Sequence, residues 1–433
     1  MTGSPGADRL DRVHGALRAA AARYGTPLYL TDAVGLVAAA DELRAAFPDP
    51  WIRQYSLKAN DVAPIVARLR EAGLGANVVS RGEWAIARRA GFTNDRVTLE
   101  GVGKTDLDLR AAVRAAVTGQ PLRWIALESS DEAAVLATLV RRAGLRRLDV
   151  LLRFNPAVEP ETQRALAVGA GFTKFGLGDD ELAAAIEAGG GAAGPLRWRG
   201  IHVHVGSQLG AVDAWRDAVR RALALGALLG GGLPDFDTLD VGGGFPVVSA
   251  DEPAPRPERF ARELPALLEG VPADRRPSRL AIEPGRFLVA GAGWLVASVL
   301  HVRDRDGRMA VLDAGMTELI RPALYGAWHP MTALTSLGRP VDAGAVGHRA
   351  GGGGVTEEPV AVHGPICEST DELGVHALPP LRRGDLVAVR DAGAYAASLG
   401  STYNGRPRPP QIVLEADGRL TLVRRRGSVG SLG

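Results

Sequence analysis

Lysine is the scarcest basic residue of this chain: of 51 lysines and arginines, only Lys58, Lys104 and Lys174 are lysines. A sequence that writes arginine almost everywhere keeps lysine by chance or where a guanidinium cannot substitute. An amine can lose its proton, attack a carbonyl and form a Schiff base, which a guanidinium cannot. Three further clusters carry reactive types. His204 and Ser207 lie in HVHVGSQ, Gly242, Gly243 and Gly244 in DVGGGFP, and Glu283, Gly285 and Arg286 in EPGR. A glycine run makes either a tight turn or a cradle that a phosphate can approach closely. His202 and His204 would point the same way on a strand, as a metal pair does, but no second cluster of His and Asp supplies further ligands. No metal is expected.

Something must bring these distant segments together. Between residues 50 and 290, short β-branched runs alternate with Ala/Leu/Arg segments of helical period, the pattern of βα units around a parallel sheet. Eight strands are predicted: 51–57, 75–80, 96–101, 123–129, 148–155, 199–206, 236–242 and 279–285. Eight such units are the arithmetic of a (β/α)₈ TIM-like barrel, with a doubly wound open sheet as the rival. Lys58, His204, Gly242 and Glu283 then stand at the carboxyl ends of four strands, where barrels collect reactive side chains. Past residue 290 the texture turns to strands with few helices, an all-β domain that could also take in GTPLYLTD at 25–32. The expected division is 1–45, an N-terminal segment lending a strand to the β domain; 46–290, the barrel; and 291–433, the β domain. The segment 345–358 reads as a surface loop.

Composition narrows the partners. The 433 residues carry a net charge of only +2, so no broad cationic field awaits nucleic acid or an anionic membrane. The single cysteine, Cys367, excludes an intrachain disulfide, and no apolar stretch is long enough to span a bilayer. The start MTGSPGADRLDR lacks the apolar core of a secretory signal, so a cytoplasmic protein acting on a small molecule is expected.

Taken together, an amine, a glycine cradle, an imidazole and a carboxylate match what pyridoxal 5'-phosphate needs. Lys58 would hold the aldehyde, while the glycines, Ser207 and Arg286 would hold the phosphate. His204 would stack on the ring, and Glu283 would keep the pyridine nitrogen protonated and the ring an electron sink.

From TPLYLTD to RPRPPQIVL the chain resembles the fold-type III pyridoxal-phosphate decarboxylases, and within them the diaminopimelate decarboxylases. The resemblance rests on YSLKAN, GANVVSRGE, LEGVGKT, RFNP, TKFGL, HVHVGSQ, GGGFP, EPGR, IRPALYGAWHP, GPICESTD and GAYAASLGSTYNGRPRP, in the family's order. It implies a homodimer with shared active sites, in which Cys367 of one subunit protonates the substrate carbon after carbon dioxide leaves, and Tyr395 contacts the phosphate. It also implies that Arg321, Tyr325 and Arg286 clamp a distal carboxylate and that Glu368 meets a distal ammonium, which favours meso-diaminopimelate. A guanidinium fork fits a carboxylate in shape as well as charge.

Several positions depart from the family's pattern: GGGFP for GGGLG, Asn77 for an Asp, Gly326 and Trp328 in YGAWH, Gln411 for a Glu, and the apolar stretch from Val158 to Gly171. They leave room for another carboxylate-bearing or carrier-bound amino acid. A racemase is disfavoured by CES, and an inactive regulator by the presence of Lys58 and Cys367.

Overall fold

The computed structural model describes residues 5–160, 162, 167, 169, 173–247, 254–341 and 356–431. Most of the Val158–Gly171 stretch and most of the loop predicted at 345–358 lie outside them. The chain divides into two compact units, 38–288 and 1–37 with 289–433. The first division falls inside the helix Ala33–Ala46, ahead of the 45–46 boundary expected from texture.

The smaller unit opens with a helix, Pro5–Tyr24, followed by β1 (Leu28–Asp32). Unit 38–288 contains eight strands, β2 (Ile52–Ser56), β3 (Gly75–Val78), β4 (Val97–Leu99), β5 (Trp124–Leu127), β6 (Leu148–Phe154), β7 (Leu196–Val203), β8 (Thr238–Asp240) and β9 (Arg279–Ile282). They close into a barrel in that order, every neighbour parallel, with β9 returning to β2 at Ile52↔Ala281. The open-sheet rival is thereby excluded. Trp124, Ala126, Leu151 and Ala281 fill part of the barrel interior.

Several strand-to-helix turns use one device. Ser80 accepts the Glu83 amide, Thr105 the Asp108 amide and Ser129 the Glu132 amide, each at the start of the helix that follows β3, β4 or β5. Such caps contribute about 1 kcal/mol apiece and fix where each helix leaves the mouth.

The other unit is built on a nine-stranded sheet. Its remaining strands are β10 (Gly293–Asp304), β11 (Arg308–Leu312), β12 (Met331–Ala333), β13 (Glu358–His363), β14 (Glu372–Leu378), β15 (Leu386–Val389), β16 (Gln411–Leu414) and β17 (Leu420–Arg424). The main path runs β14-β13-β11-β10-β1-β16-β17, and β15 joins β10 to β12. Thus β1 lies antiparallel to β10 and parallel to β16, so the N-terminal run joins the β domain as expected. Apolar side chains cover both faces: Leu295, Ala297, Leu312 and Val389 belong to one cluster, Leu28, Leu30, Val296 and Ile412 to another. Alternation with period two puts neighbouring residues on opposite faces, which is why one strand feeds both clusters.

Candidate active site

The barrel residues expected to react do stand at strand carboxyl ends. Lys58 sits on the 3-10 turn Leu57–Ala59 just past β2, His204 directly follows β7, the glycine run begins two residues past β8, and Glu283 directly follows β9. Two hydrogen bonds tie the Lys58 turn to the EPGR loop: Ser56 Oγ donates to the Glu283 carbonyl at 3.0 Å, and the Ser56 amide to the Pro284 carbonyl at 3.1 Å. A Cβ on Gly285 would stand 3.2 Å from Ser56 Cβ and Ala59 Cβ, a tight fit that favours glycine at this approach.

The three lysines now separate. The Lys104 side chain is fully buried, with Nζ 3.0 Å from Glu132 and donating to the Gly101 carbonyl at 2.6 Å. Lys174 lies over the Phe175 ring, Nζ 5.5 Å from its centroid. Lys58 is exposed, and among the described residues its amine has no hydrogen bond or ion pair. It is the lysine placed to meet a carbonyl from outside.

The imidazole of His204 is aimed by the glycine run. Gly243 N–H donates to His204 Nδ1 at 3.1 Å, so the ring's own proton resides on Nε2. Burial first, then the Lys58 and Arg153 charges, hold the ring well below the usual imidazole pKa, so it is neutral. Gly242 and Gly244 take φ of +69° and +96°, a conformation that other residues adopt at a cost. The expected phosphate cradle is narrower than the run suggests. Gly242 N–H is engaged by Asp240 Oδ1 at 2.9 Å and Gly243 N–H by His204, which leaves Gly244 for such a contact.

Arg286 and Ser207 meet, with Arg286 Nε and Nη2 donating to Ser207 Oγ at 3.2 and 3.1 Å. Arg286 is buried, as is Glu283. Asn77, the departure noted above, donates from Nδ2 to Glu283 Oε1. Glu283 also stands 3.2 Å from Nε2 of His202, whose other carboxylate neighbour is Glu100 at 3.5 Å. His202 therefore faces two acids inside the barrel. Burial pushes Glu100 up to about 8 and His202 down to about 4, which favours the uncharged form of each.

Sequence reasoning missed Glu100, because a carboxylate closing a predicted strand carries no signal of what it will face. Arg153 is claimed by Glu128 and lies over Phe175.

The second unit holds the other candidates. Arg321 begins and Tyr325 ends a one-turn helix, Arg321–Tyr325. Nδ1 of His329 lies 3.0 Å from the Arg390 carbonyl and must donate to it, so Nε2 accepts from Arg321 Nη1 at 2.7 Å. Cys367 and Glu368 are exposed on the turn between β13 and β14. Asn404 accepts the Cys367 amide at 3.4 Å, and Tyr403 donates to Glu368 at 2.7 Å. The sequence had marked TYNG without assigning these two residues a task. Tyr395 is partly exposed with φ of +56°.

The donor set fits one cofactor: an unclaimed amine, a neutral aromatic ring beside it, a buried carboxylate and an Arg–Ser pair at a parallel barrel's mouth. Lys58, His204, Glu283 and Arg286 with Ser207 would hold it. Fold and site together define a barrel enzyme of pyridoxal chemistry. The chain belongs to the pyridoxal-dependent decarboxylase family, whose pyridoxal-binding domain matches residues 35–290. Over nearly its full length it is similar to two diaminopimelate decarboxylases. That of Aquifex aeolicus is 33% identical over 95% of this chain and 91% of the relative, and that of Deinococcus radiodurans is 35% identical over 92% of each. The crystal structure of diaminopimelate decarboxylase from Helicobacter pylori complexed with L-lysine is 29% identical, with a TM-score of 0.82 over 94% of this chain and 95% of the other. No helix among the described residues is long and apolar enough to cross a membrane.

Proposed function

We propose that this decarboxylase converts meso-diaminopimelate to L-lysine and carbon dioxide, acting at the D-configured end of the substrate. The observation that carries the substrate is the near full-length similarity to diaminopimelate decarboxylases at 33 and 35% identity. When bound, pyridoxal phosphate supplies the electron sink that accepts the bond pair as carbon dioxide leaves.

The chain's own residues do the rest. Lys58 would hold the cofactor's aldehyde through its amine. His204 covers one ring face as a neutral imidazole, which adds no charge to compete with Glu283. Glu283 fixes positive charge at the ring nitrogen. Arg286 and Ser207, with Gly244 and Gly285, take the phosphate, and Tyr395 adds a phenol.

Substrate selection falls to Arg321 and Tyr325, with Arg286, for the distal carboxylate and to Glu368 for the distal ammonium. The hydrogen bond from Arg321 to His329 holds the guanidinium in one orientation, which favours a planar two-oxygen partner. Cys367 returns the proton to the substrate carbon. Its exposure, together with that of Glu368 and Tyr403, supports a homodimer in which this turn completes the partner's site.

A panel of meso- and L,L-diaminopimelate, lysine, ornithine, arginine and glutamate, scored for carbon dioxide with added cofactor, tests the proposal. Release from meso-diaminopimelate alone is expected. Release from ornithine alone overturns it, and silence from the whole panel points to another carboxylate-bearing or carrier-bound amino acid.

A further inference from the structure

Beneath the mouth, the barrel interior holds more acid than its cations can balance. Glu100 directly follows β4, Asp240 ends β8 and Glu283 directly follows β9, and all three are buried. Glu100 and Asp240 each make a carboxyl–carboxyl contact with Glu283. One ligand atom from each of Glu100, His202 and Glu283 lies within 4.8 Å of the others.

The charged groups facing this layer do not neutralise it. Arg153 is held by Glu128, and Lys58 stands at the mouth beside His204. Buried carboxyls in mutual contact cannot all ionise, so protons must be retained among them. Hydrogen bonding decides where. Glu283 Oε1 accepts from Asn77, a donor that stabilises an anion. By contrast, Glu100 Oε1 and Asp240 Oδ2 are buried with no donor among the described residues to stabilise a negative charge, and Asp240 accepts only the Gly242 amide, through Oδ1.

We propose that Glu100 is a positioning residue of the pyridoxal site: its carboxyl keeps its proton and donates it to Glu283, with Asp240 doing the same, so that Glu283 is the layer's single anion. Fixed there, that charge meets the cofactor's ring nitrogen. The direction of titration agrees, since burial first and Glu283 second raise both Glu100 and Asp240 above the ordinary carboxylate range. The role deepens the cofactor reading of the barrel and rests on it, whereas the proton on Glu100 is testable without cofactor.

Infrared spectroscopy of the cofactor-free protein at pH 7 should show carbonyl bands of protonated, buried carboxylic acids. Glu100→Gln should remove one and Asp240→Asn another. A raised acid stabilises the fold fully below its unfolded pKa, and that contribution is lost as pH rises through the folded value. The melting temperature of the wild type relative to Glu100→Gln should therefore fall by about 2 °C or more between pH 5 and pH 8.

In the loaded protein, Glu100→Ala should move the pH midpoint of the cofactor's visible absorbance by about one unit, and Glu100→Gln, which keeps a donor, should restore it. Absence of the Glu100 band, or a divalent metal that copurifies stoichiometrically and is lost in Glu100→Gln, overturns the proposal. A midpoint unmoved in Glu100→Ala overturns the positioning role even if the band is present. Failure of the cofactor reading shows separately, as no borohydride-trapped adduct on Lys58.

Discussion

The barrel and the sheet unit hold their candidate residues in opposite ways. In the barrel they are placed by strand ends and by one another: Ser56 is bound to the Glu283 carbonyl, Gly243 to His204, Arg286 to Ser207 and Asn77 to Glu283. Glu283 and Arg286 are buried, and Lys58 alone reaches solvent without a described partner. In the sheet unit Cys367 and Glu368 are exposed on a turn, supported by Asn404 and Tyr403 from a second exposed turn. The barrel is thus an assembled receptor, and the sheet unit presents reagents. Preorganised groups suit a permanent guest, while groups on exposed turns suit chemistry completed by another surface.

The widest test of that contrast removes the amine. Lys58→Ala should lower carbon dioxide release by on the order of 10³-fold or more, and mass spectrometry after borohydride should find no adduct. Cys367→Ala should lower kcat by about 10²–10⁴-fold while the cofactor's absorbance persists, because a proton donor is lost and the receptor is not. Mixing these two variants sharpens the comparison. If the site is shared between subunits, random reassociation restores about a quarter of wild-type activity, whereas sites built within one chain stay silent.

A smaller effect is expected at Arg321. Arg321→Met should reduce kcat/KM for meso-diaminopimelate by about 10- to 100-fold, as one charge-assisted contact is lost. The same loss measured on a substrate without a distal carboxylate would remove Arg321 from selection. Least affected in activity is Lys104→Met, which should destabilise the fold by about 3–5 kcal/mol in denaturant unfolding by stranding the buried Glu132, with kcat little changed.

Much of this was legible in the residues. Eight β-branched runs separated by helical periods gave the barrel its strand count, because buried parallel strands and their covering helices must write those patterns. Lys58 stood out through the rarity of its type.

The remainder depended on convergence in space. Glu100, Asp240 and Glu283 come from three strands, and nothing in a one-dimensional pattern says that they will touch. Their charge states follow from that contact rather than from residue type. The glycine run is opaque for a related reason. Whether an amide is free for a phosphate depends on what Asp240 and His204 do with it. Tyr403 and Asn404 were equally opaque, because a turn supporting another turn leaves no periodic trace.

The sheet's strand order has a consequence for biosynthesis. β1 is among the first strands to leave the ribosome, yet both its neighbours, β10 and β16, are encoded after the barrel. A nascent chain can close its eight-stranded unit while β1 still waits, unzipped, for β10 and β16 to be translated. β1 is thus made before the barrel and secured after it.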